Sequence, residues 1–166
     1  MRYVIPKKGI WTPRWFYDKL LKYEEFIHLR DGDARVEFLL VGDEIIRSGR
    51  QVLGEVHIPT VQGKLRGVFE WMLEQQFDSV PDFLVMLDQS YWDESGRNDR
   101  EILIFHEMCH MIHKTDADGE LRYDEDGNPV WGIVGHDVEE FVATVARYGA
   151  YSDELRRFLE AANGAR

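Results

Sequence analysis

Two histidines and a glutamate at a fixed spacing are the residues of this chain best suited to metal chemistry. His106 and His110 are four residues apart and Glu107 lies between them, in the pattern H-E-x-x-H. On a helix, positions i and i+4 lie on the same face, so both imidazoles can coordinate one ion. Glu107 could then take a proton from a water on that ion without being a ligand itself. The pattern predicts a metal site with a general base, and its alternative is a coincidental match of five residues.

The stretch that holds this motif is predicted to be a buried helix. Apolar side chains occupy most positions from Ile102 onward, and a helix that is apolar all round is typically buried. The segment from Asn98 to Glu101 has the N-x-x-E form of a capping box, which predicts a helix start near Asn98. Buried histidines and a buried glutamate need polar partners, and a metal ion with its water would supply them. Cys109, the only cysteine, is predicted to be a small core residue of this helix.

His113 is not expected to complete the metal site, although it follows the motif closely. On a straight helix it would lie about 10 Å of rise from His106, and one ion with bonds of about 2 Å cannot reach both. His57, in a predicted strand, is a ligand in principle, but a surface or hydrogen-bonded role is favoured for a lone histidine.

The segment G-H-D-V-E-E-F at residues 135–141 is the predicted source of the third ligand. It is expected to open a second helix that ends near Gly149, with His136 at its start and a buried apolar stripe. His136 and Glu140 would share one face of that helix, with Glu139 as a neighbour, and any of the three could complete the site. His136 is the preferred ligand. Glu140 is the reserve ligand, or the carboxylate that accepts a hydrogen bond from a metal-bound imidazole.

Composition narrows the class of protein. The 31 acidic and 20 basic residues give a net charge of -11, which would repel a nucleic-acid backbone, so no nucleic-acid partner is expected. A hydrophobic content of 44% is typical of a folded globular protein. Charged residues interrupt the amino-terminal segment and no apolar run approaches membrane length. The sequence therefore predicts a soluble cytoplasmic protein with no membrane partner.

The order of predicted elements indicates an α+β fold. Helices are predicted over residues 13–29, 61–77, 98–113, 136–149 and 152–162. Strands are predicted over residues 35–41, 51–58 and 82–88, and a surface hairpin over residues 116–131. Residues 1–166 are predicted to form one domain, with an amino-terminal arm and helix over 1–30, a core over about 35–150 and a carboxy-terminal helix over 152–163.

The strand over residues 82–88 has two possible roles, because it directly precedes the motif helix. If its edge is exposed, it could pair with an extended peptide and hold that peptide over the metal. If it is internal, it binds no ligand.

Three motifs together resemble a known family. The sequences H-E-M-C-H (106–110), G-H-D-V-E-E-F (135–141) and R-Y-G (147–149) are similar to those of the putative phage metallopeptidases, small proteins related in layout to SprT-like zinc peptidases. The resemblance covers roughly residues 52–149. It implies a zincin-like single domain with a small mixed sheet packed on the H-E-x-x-H helix, a catalytic zinc, and His136 on a second helix as third ligand. A phage-encoded protein of this kind would act in the host cell cytoplasm.

These features predict a zinc-dependent hydrolase, and more narrowly a peptidase that acts on protein or peptide substrates. Zinc would polarise the scissile carbonyl and acidify its water, while Glu107 acts as general base. Tyr148 is a candidate donor to the oxyanion. A non-catalytic binding protein on a zincin-like scaffold, with structural zinc or none, is the alternative, and a third possibility is that the histidines only pack a core. Three histidines leave a position for water, whereas a fourth ligand such as Glu140 would close the site.

Overall fold

The computed structural model of the chain describes residues 2–47 and 49–165. The chain folds into two compact units, one that ends at Val134 and one that begins at Gly135. The strands are β1 (Tyr3–Val4), β2 (Val36–Val41), β3 (Ile45–Arg47), β4 (Arg50–Val52), β5 (Gly54–His57), β6 (Phe83–Asp88), β7 (Met111–His113) and β8 (Trp131–Ile133). The helices are α1 (Pro13–Leu20), α2 (Ile27–Asp31), α3 (Arg66–Phe77), α4 (Gln89–Glu94), α5 (Arg97–Cys109), α6 (Val142–Tyr148) and α7 (Asp153–Gly164). None of the helices in these residues is long and apolar enough to span a membrane.

A four-stranded mixed sheet forms the centre of the first unit, in the order β1-β2-β6-β5. Strands β2 and β6 are parallel, with Val36 opposite Phe83, and β1 and β5 are antiparallel to their neighbours. The predicted mixed sheet is therefore confirmed. Strand β6 is internal, so of the two roles considered for residues 82–88 the structure shows the internal one, and β5 is the edge strand on that side of the sheet.

One face of the sheet is covered by helices. Burial alternates along most of β2 and β6, and their buried apolar residues pack in one core with residues of α1 and α5. Aromatic rings fill this layer: the ring of Phe16 meets Trp92 edge-on at 6.1 Å, and Phe26 meets Phe105 at 4.9 Å. This packing fixes α5, the helix that carries the H-E-x-x-H motif, against the sheet.

The helix predicted over residues 13–29 is divided in two. Its start is confirmed, because Thr12 caps α1 with its hydroxyl and Pro13 is the first helical residue. The helix ends at Leu20, and Tyr23 is extended before a 3-10 turn over Glu24–Phe26. The helical spacing of Phe16, Leu20, Tyr23 and Ile27 suggested one continuous helix, but only Phe16 and Leu20 are buried, whereas Tyr23 and Ile27 are exposed.

The strand predicted over residues 51–58 is also divided. Its first part is β4, which pairs only with β3 in a separate hairpin, and its second part is β5, which joins the main sheet. The sequence Ser48-Gly49 predicts a turn between β3 and β4, but Ser48 lies outside the described residues.

The surface hairpin predicted over residues 116–131 is confirmed around its central turn. Tyr123 and Pro129 form an isolated bridge across Asp126 and Gly127. The carboxylate of Asp124 accepts hydrogen bonds from the backbone N–H of Asp126 at 3.0 Å and of Asn128 at 2.8 Å. Asp124 therefore stabilises the turn of this hairpin.

The second unit contains α6 and α7. The predicted last helix is confirmed: Ser152 caps α7, and its hydroxyl accepts a hydrogen bond from the Leu155 N–H at 3.2 Å. The helix predicted from His136 begins only at Val142, and residues 135–141 are irregular. Its predicted buried stripe is wrong as well, since Phe141 is exposed and 85% of Val142 is accessible to solvent.

Candidate metal centre

Helix α5 is amphipathic rather than buried all round. Leu103, Ile104 and Met108 face the core, whereas Ile102 is 58% exposed. Cys109, predicted to lie in the core, is exposed. The helix begins at Arg97 after Gly96, without the predicted side-chain cap from residue 98. The motif thus lies on a helix with one face in the core and the other open to a ligand.

The imidazoles of His106 and His110 lie together on this helix, as their spacing predicts. Their Nε2 atoms are 3.3 Å apart and their ring centroids are 5.0 Å apart. Two nitrogen ligands of a tetrahedral zinc, with bonds of about 2.0–2.1 Å, lie about 3.3–3.4 Å from each other. The separation of the two Nε2 atoms therefore fits a shared zinc ion.

The ring of His110 is held in one tautomer by the chain that follows the helix. Strands β7 and β8 pair antiparallel and bring Val134 back beside the end of α5. The backbone N–H of Val134 donates to the carbonyl of His110 at 2.9 Å, and His110 Nδ1 lies 2.7 Å from the carbonyl of Val134. Because a carbonyl only accepts, Nδ1 carries the proton, and a neutral ring then presents its Nε2 lone pair.

Glu107 is almost completely buried, with 3% of its surface exposed. Burial, and then the negative charge of Glu55, raise the pKa of the Glu107 carboxyl to about 7. Its Oε2 atom is buried and has no hydrogen-bond partner among the described residues. Buried polar atoms nearly always have partners, so an unpaired carboxylate oxygen of raised pKa makes Glu107 a candidate functional group.

Gly54, at the start of β5, creates the space that Glu107 occupies. A Cβ atom at this position would lie 2.4 Å from Glu107 Oε1 and 2.7 Å from its carboxyl carbon. Only glycine allows such an approach between the edge strand and α5. The sequence analysis did not identify Gly54, and the available signal was a glycine inside an otherwise alternating strand pattern.

Glu55, the next residue of β5, is the centre of a small charged cluster. It forms an ion pair with Arg47 of β3, and its other oxygen lies 3.1 Å from His57 Nε2. The hydrogen bond from Arg47 holds the pKa of Glu55 below its usual value, so Glu55 is ionised next to Glu107. This geometry gives His57 the favoured hydrogen-bonded role.

His113 lies on β7 rather than on a continued helix, which corrects the assumption of a straight helix to residue 113. The helix ends at Cys109, and the chain turns into β7 at Met111. The ring of His113 is buried, and its Nε2 lies 2.7 Å from the carbonyl of Arg122. It therefore has a structural partner in the hairpin.

The remaining candidates belong to the second unit. His136 lies in the irregular segment before α6, with its Nδ1 3.9 Å from a carboxylate oxygen of Glu139. The carboxylate of Glu140 accepts hydrogen bonds from the Tyr151 hydroxyl and from the Phe141 N–H, and these lower its pKa. The prediction that His136 and Glu140 share one face of a helix is therefore wrong. Tyr148, the last residue of α6, is exposed.

The histidines that the sequence favours as ligands lie in both units, His106 and His110 in the first and His136 in the second.

Comparison with known proteins agrees with the resemblance seen in the motifs. A family model described as "Putative phage metallopeptidase" matches residues 15–163, which is most of the chain. No curated protein and no solved structure matches the chain.

Proposed function

The chain belongs to the putative phage metallopeptidase family, and on this premise we propose that it is a zincin-like, zinc-dependent peptidase of the H-E-x-x-H type. Glu107 is its general base. One observation carries the proposal: the last turn of α5 and its cap carry both a buried carboxylate oxygen of Glu107 with no hydrogen-bond partner among the described residues and two imidazoles with Nε2 atoms 3.3 Å apart. If the histidines only packed a core, nothing would explain why the buried oxygen of Glu107 has no hydrogen-bond partner among the described residues.

Zinc fits the donor set of this site. His106 and His110 offer nitrogen ligands at the spacing of a tetrahedral ion, and His110 has the proton on the correct nitrogen. We assign His136 as the third ligand. Glu140 is the weaker candidate because both of its oxygens already accept hydrogen bonds, from Phe141 and Tyr151.

The chain's own residues divide the chemistry between them. When bound, zinc supplies Lewis acidity, which polarises a carbonyl and lowers the pKa of water toward about 7. Glu107 accepts the proton from the attacking water and passes it to the leaving amine, and a carboxyl with a pKa of about 7 is suited to both steps at neutral pH. Tyr148 remains the candidate for a hydrogen bond to the oxyanion.

We place the peptide substrate along β5. Among the described residues this strand pairs only with β6, so its other side offers backbone N–H and C=O groups to an extended peptide. Gly54 of the same strand lies against Glu107, so a peptide paired there passes close to the base. Recognition through the main chain would tolerate many substrate sequences.

Zinc binding to histidine variants, measured by competition with a chromogenic chelator, tests this site independently of activity. We expect His106→Ala and His110→Ala each to lower zinc affinity at least about 100-fold, because each change removes one of the proposed nitrogen ligands. His136→Ala should weaken binding and Glu140→Ala should leave it nearly unchanged. His57→Ala, whose ring contacts Glu55 instead, is the matched control.

Stoichiometric zinc that survives the combined His106→Ala and His110→Ala change would contradict the assignment. A loss of zinc in Glu140→Ala comparable to that in His136→Ala would indicate a closed, structural site, which is the signature of the non-catalytic alternative.

A further inference from the structure

A cavity of about 540 Å³ lies beside His106 on α5, and its lining includes His106 but not Glu107. Its walls come from α1, from the 3-10 turn over Glu24–Phe26, and from α5. A volume of this size is ordinary for a binding pocket. A group held there would adjoin one proposed metal ligand.

The cavity has an apolar wall that the protein itself does not cover. Ile102 and Phe105 line it, together with Leu20 of α1, and Ile102 is largely exposed. Exposed isoleucine beside a concave surface suits a ligand with an alkyl or aromatic portion, because such contact removes apolar surface from water. Cys109 also lines the cavity.

The charged groups of the lining are carboxylates, from Glu25 and Glu101, with no lysine or arginine among the described lining residues. The two carboxylates are not equivalent. Both oxygens of Glu101 lie 2.7 Å from Lys19 Nζ, so its charge is already balanced. Glu25 is exposed on its 3-10 turn and forms no ion pair among the described residues. The cavity thus combines an apolar wall with one unbalanced negative charge.

We propose that this cavity is the specificity pocket of the peptidase and that it accepts a lysine or arginine side chain of the substrate. The alkyl part of that side chain packs on Ile102 and Phe105, and its cation pairs with Glu25. Long basic side chains join an apolar stem to a charged end, which is the combination that the wall and the rim require. The inference rests on the proposed function, since it places the scissile bond near His106.

Cleavage of matched peptides tests the preference. Peptides that differ only at one position, with lysine, arginine, norleucine or glutamate, are compared by kcat/KM. We expect the basic peptides to exceed the norleucine peptide by about fivefold, the effect of one partly exposed ion pair. Glu25→Gln should remove this difference, and Glu25→Lys should favour the glutamate peptide. Glu24→Gln is the matched control, because Glu24 is on the same turn but does not line the cavity.

A binding measurement without catalysis separates failure of the pocket from failure of the peptidase. Pentylguanidinium and hexan-1-ol, similar in length, are titrated into the zinc-free full chain, and the amide NMR shifts of Ile102 and Phe105 and the methyl shifts of Ile102 are followed. We expect pentylguanidinium to bind severalfold more tightly than hexan-1-ol. This preference should disappear in Glu25→Gln. Cation binding without cleavage of any peptide would refute the proposed function and leave the charge preference of the cavity standing.

Cleavage with no advantage for basic peptides would overturn the inference. Hexan-1-ol that binds as tightly as the cation would overturn it as well, and would show that the cavity takes uncharged side chains.

Discussion

The two flanks of α5 differ in how much freedom they allow. On the flank toward β5, Glu107 is buried against Gly54 and one extra carbon atom would lie 2.4 Å from its carboxylate. On the flank toward α1, Ile102 is exposed and borders a cavity of about 540 Å³. A catalytic base requires a fixed position, whereas a side-chain pocket requires room. Under the proposed function, the helix places the catalytic base on its tight flank and substrate selection on its open one.

The flank of α5 toward β5, the tight flank, should lose catalytic activity when a single methyl group is added at Gly54. Gly54→Ala forces Glu107 away from its position, and a displacement of about 1 Å can lower a rate about 100-fold. We expect kcat for peptide cleavage to fall at least this far while zinc content is unchanged. Gly67→Ala is the control, because a Cβ atom there meets nothing within 4 Å. Equal activity of the two variants would break the contrast between the flanks.

Two isoleucines of α5 test the same contrast through stability. Ile104 is fully buried and Ile102 is exposed. Ile104→Ala should lower the free energy of unfolding by about 2–5 kcal/mol, whereas Ile102→Ala should change it by less than about 1 kcal/mol. Urea denaturation of both variants measures the difference. A large loss for Ile102→Ala would mean that the open flank is part of the core and would contradict its role as a pocket wall.

The burial of Glu107 on the tight flank should make the stability of the protein depend on pH. The pKa of its carboxyl is about 7 in the folded chain and 4.5 for a fully solvated glutamate, so the folded state favours the protonated carboxyl. The stabilising contribution is complete below pH 4.5 and is lost as the pH rises through about 7, at most about 3 kcal/mol in the zinc-free protein.

Glu107→Gln should remove this loss of stability, because glutamine has no proton to release. Zinc-free wild type and variant are compared by urea denaturation across this pH range. A parallel pH dependence in the two proteins would show that another group is responsible.

The motif helix was predictable because its information is local. The apolar run from Ile102 onward and the four-residue spacing of His106 and His110 predict a helix with both rings on one face. Its end was not predictable: residues 109–112 read C-H-M-I, with no glycine or proline to stop a helix, and only pairing of β7 with β8 ends it. Tertiary pairing outweighed local pattern here.

The contact between Gly54 and Glu107 lay beyond sequence reasoning for a different reason. The two residues are far apart in the chain, and only the addition of β5 to the sheet edge brings them together. The helix start at His136 was misplaced because Val138, Phe141, Val142 and Val145 have helical spacing, although Phe141 and Val142 are exposed and residues 135–141 are irregular. The periodicity of apolar residues gives only their spacing, whereas their burial depends on which other elements pack against them.

The central claim is that Glu107 acts as the base beside a zinc held by histidines. The most direct measurement is zinc content together with peptide turnover in wild type and Glu107→Gln. We predict about one zinc per chain in both proteins and a fall in turnover of about 100- to 10,000-fold in the variant, the range for loss of a general base. Wild-type turnover in Glu107→Gln, or wild-type protein that binds no zinc, would contradict the account.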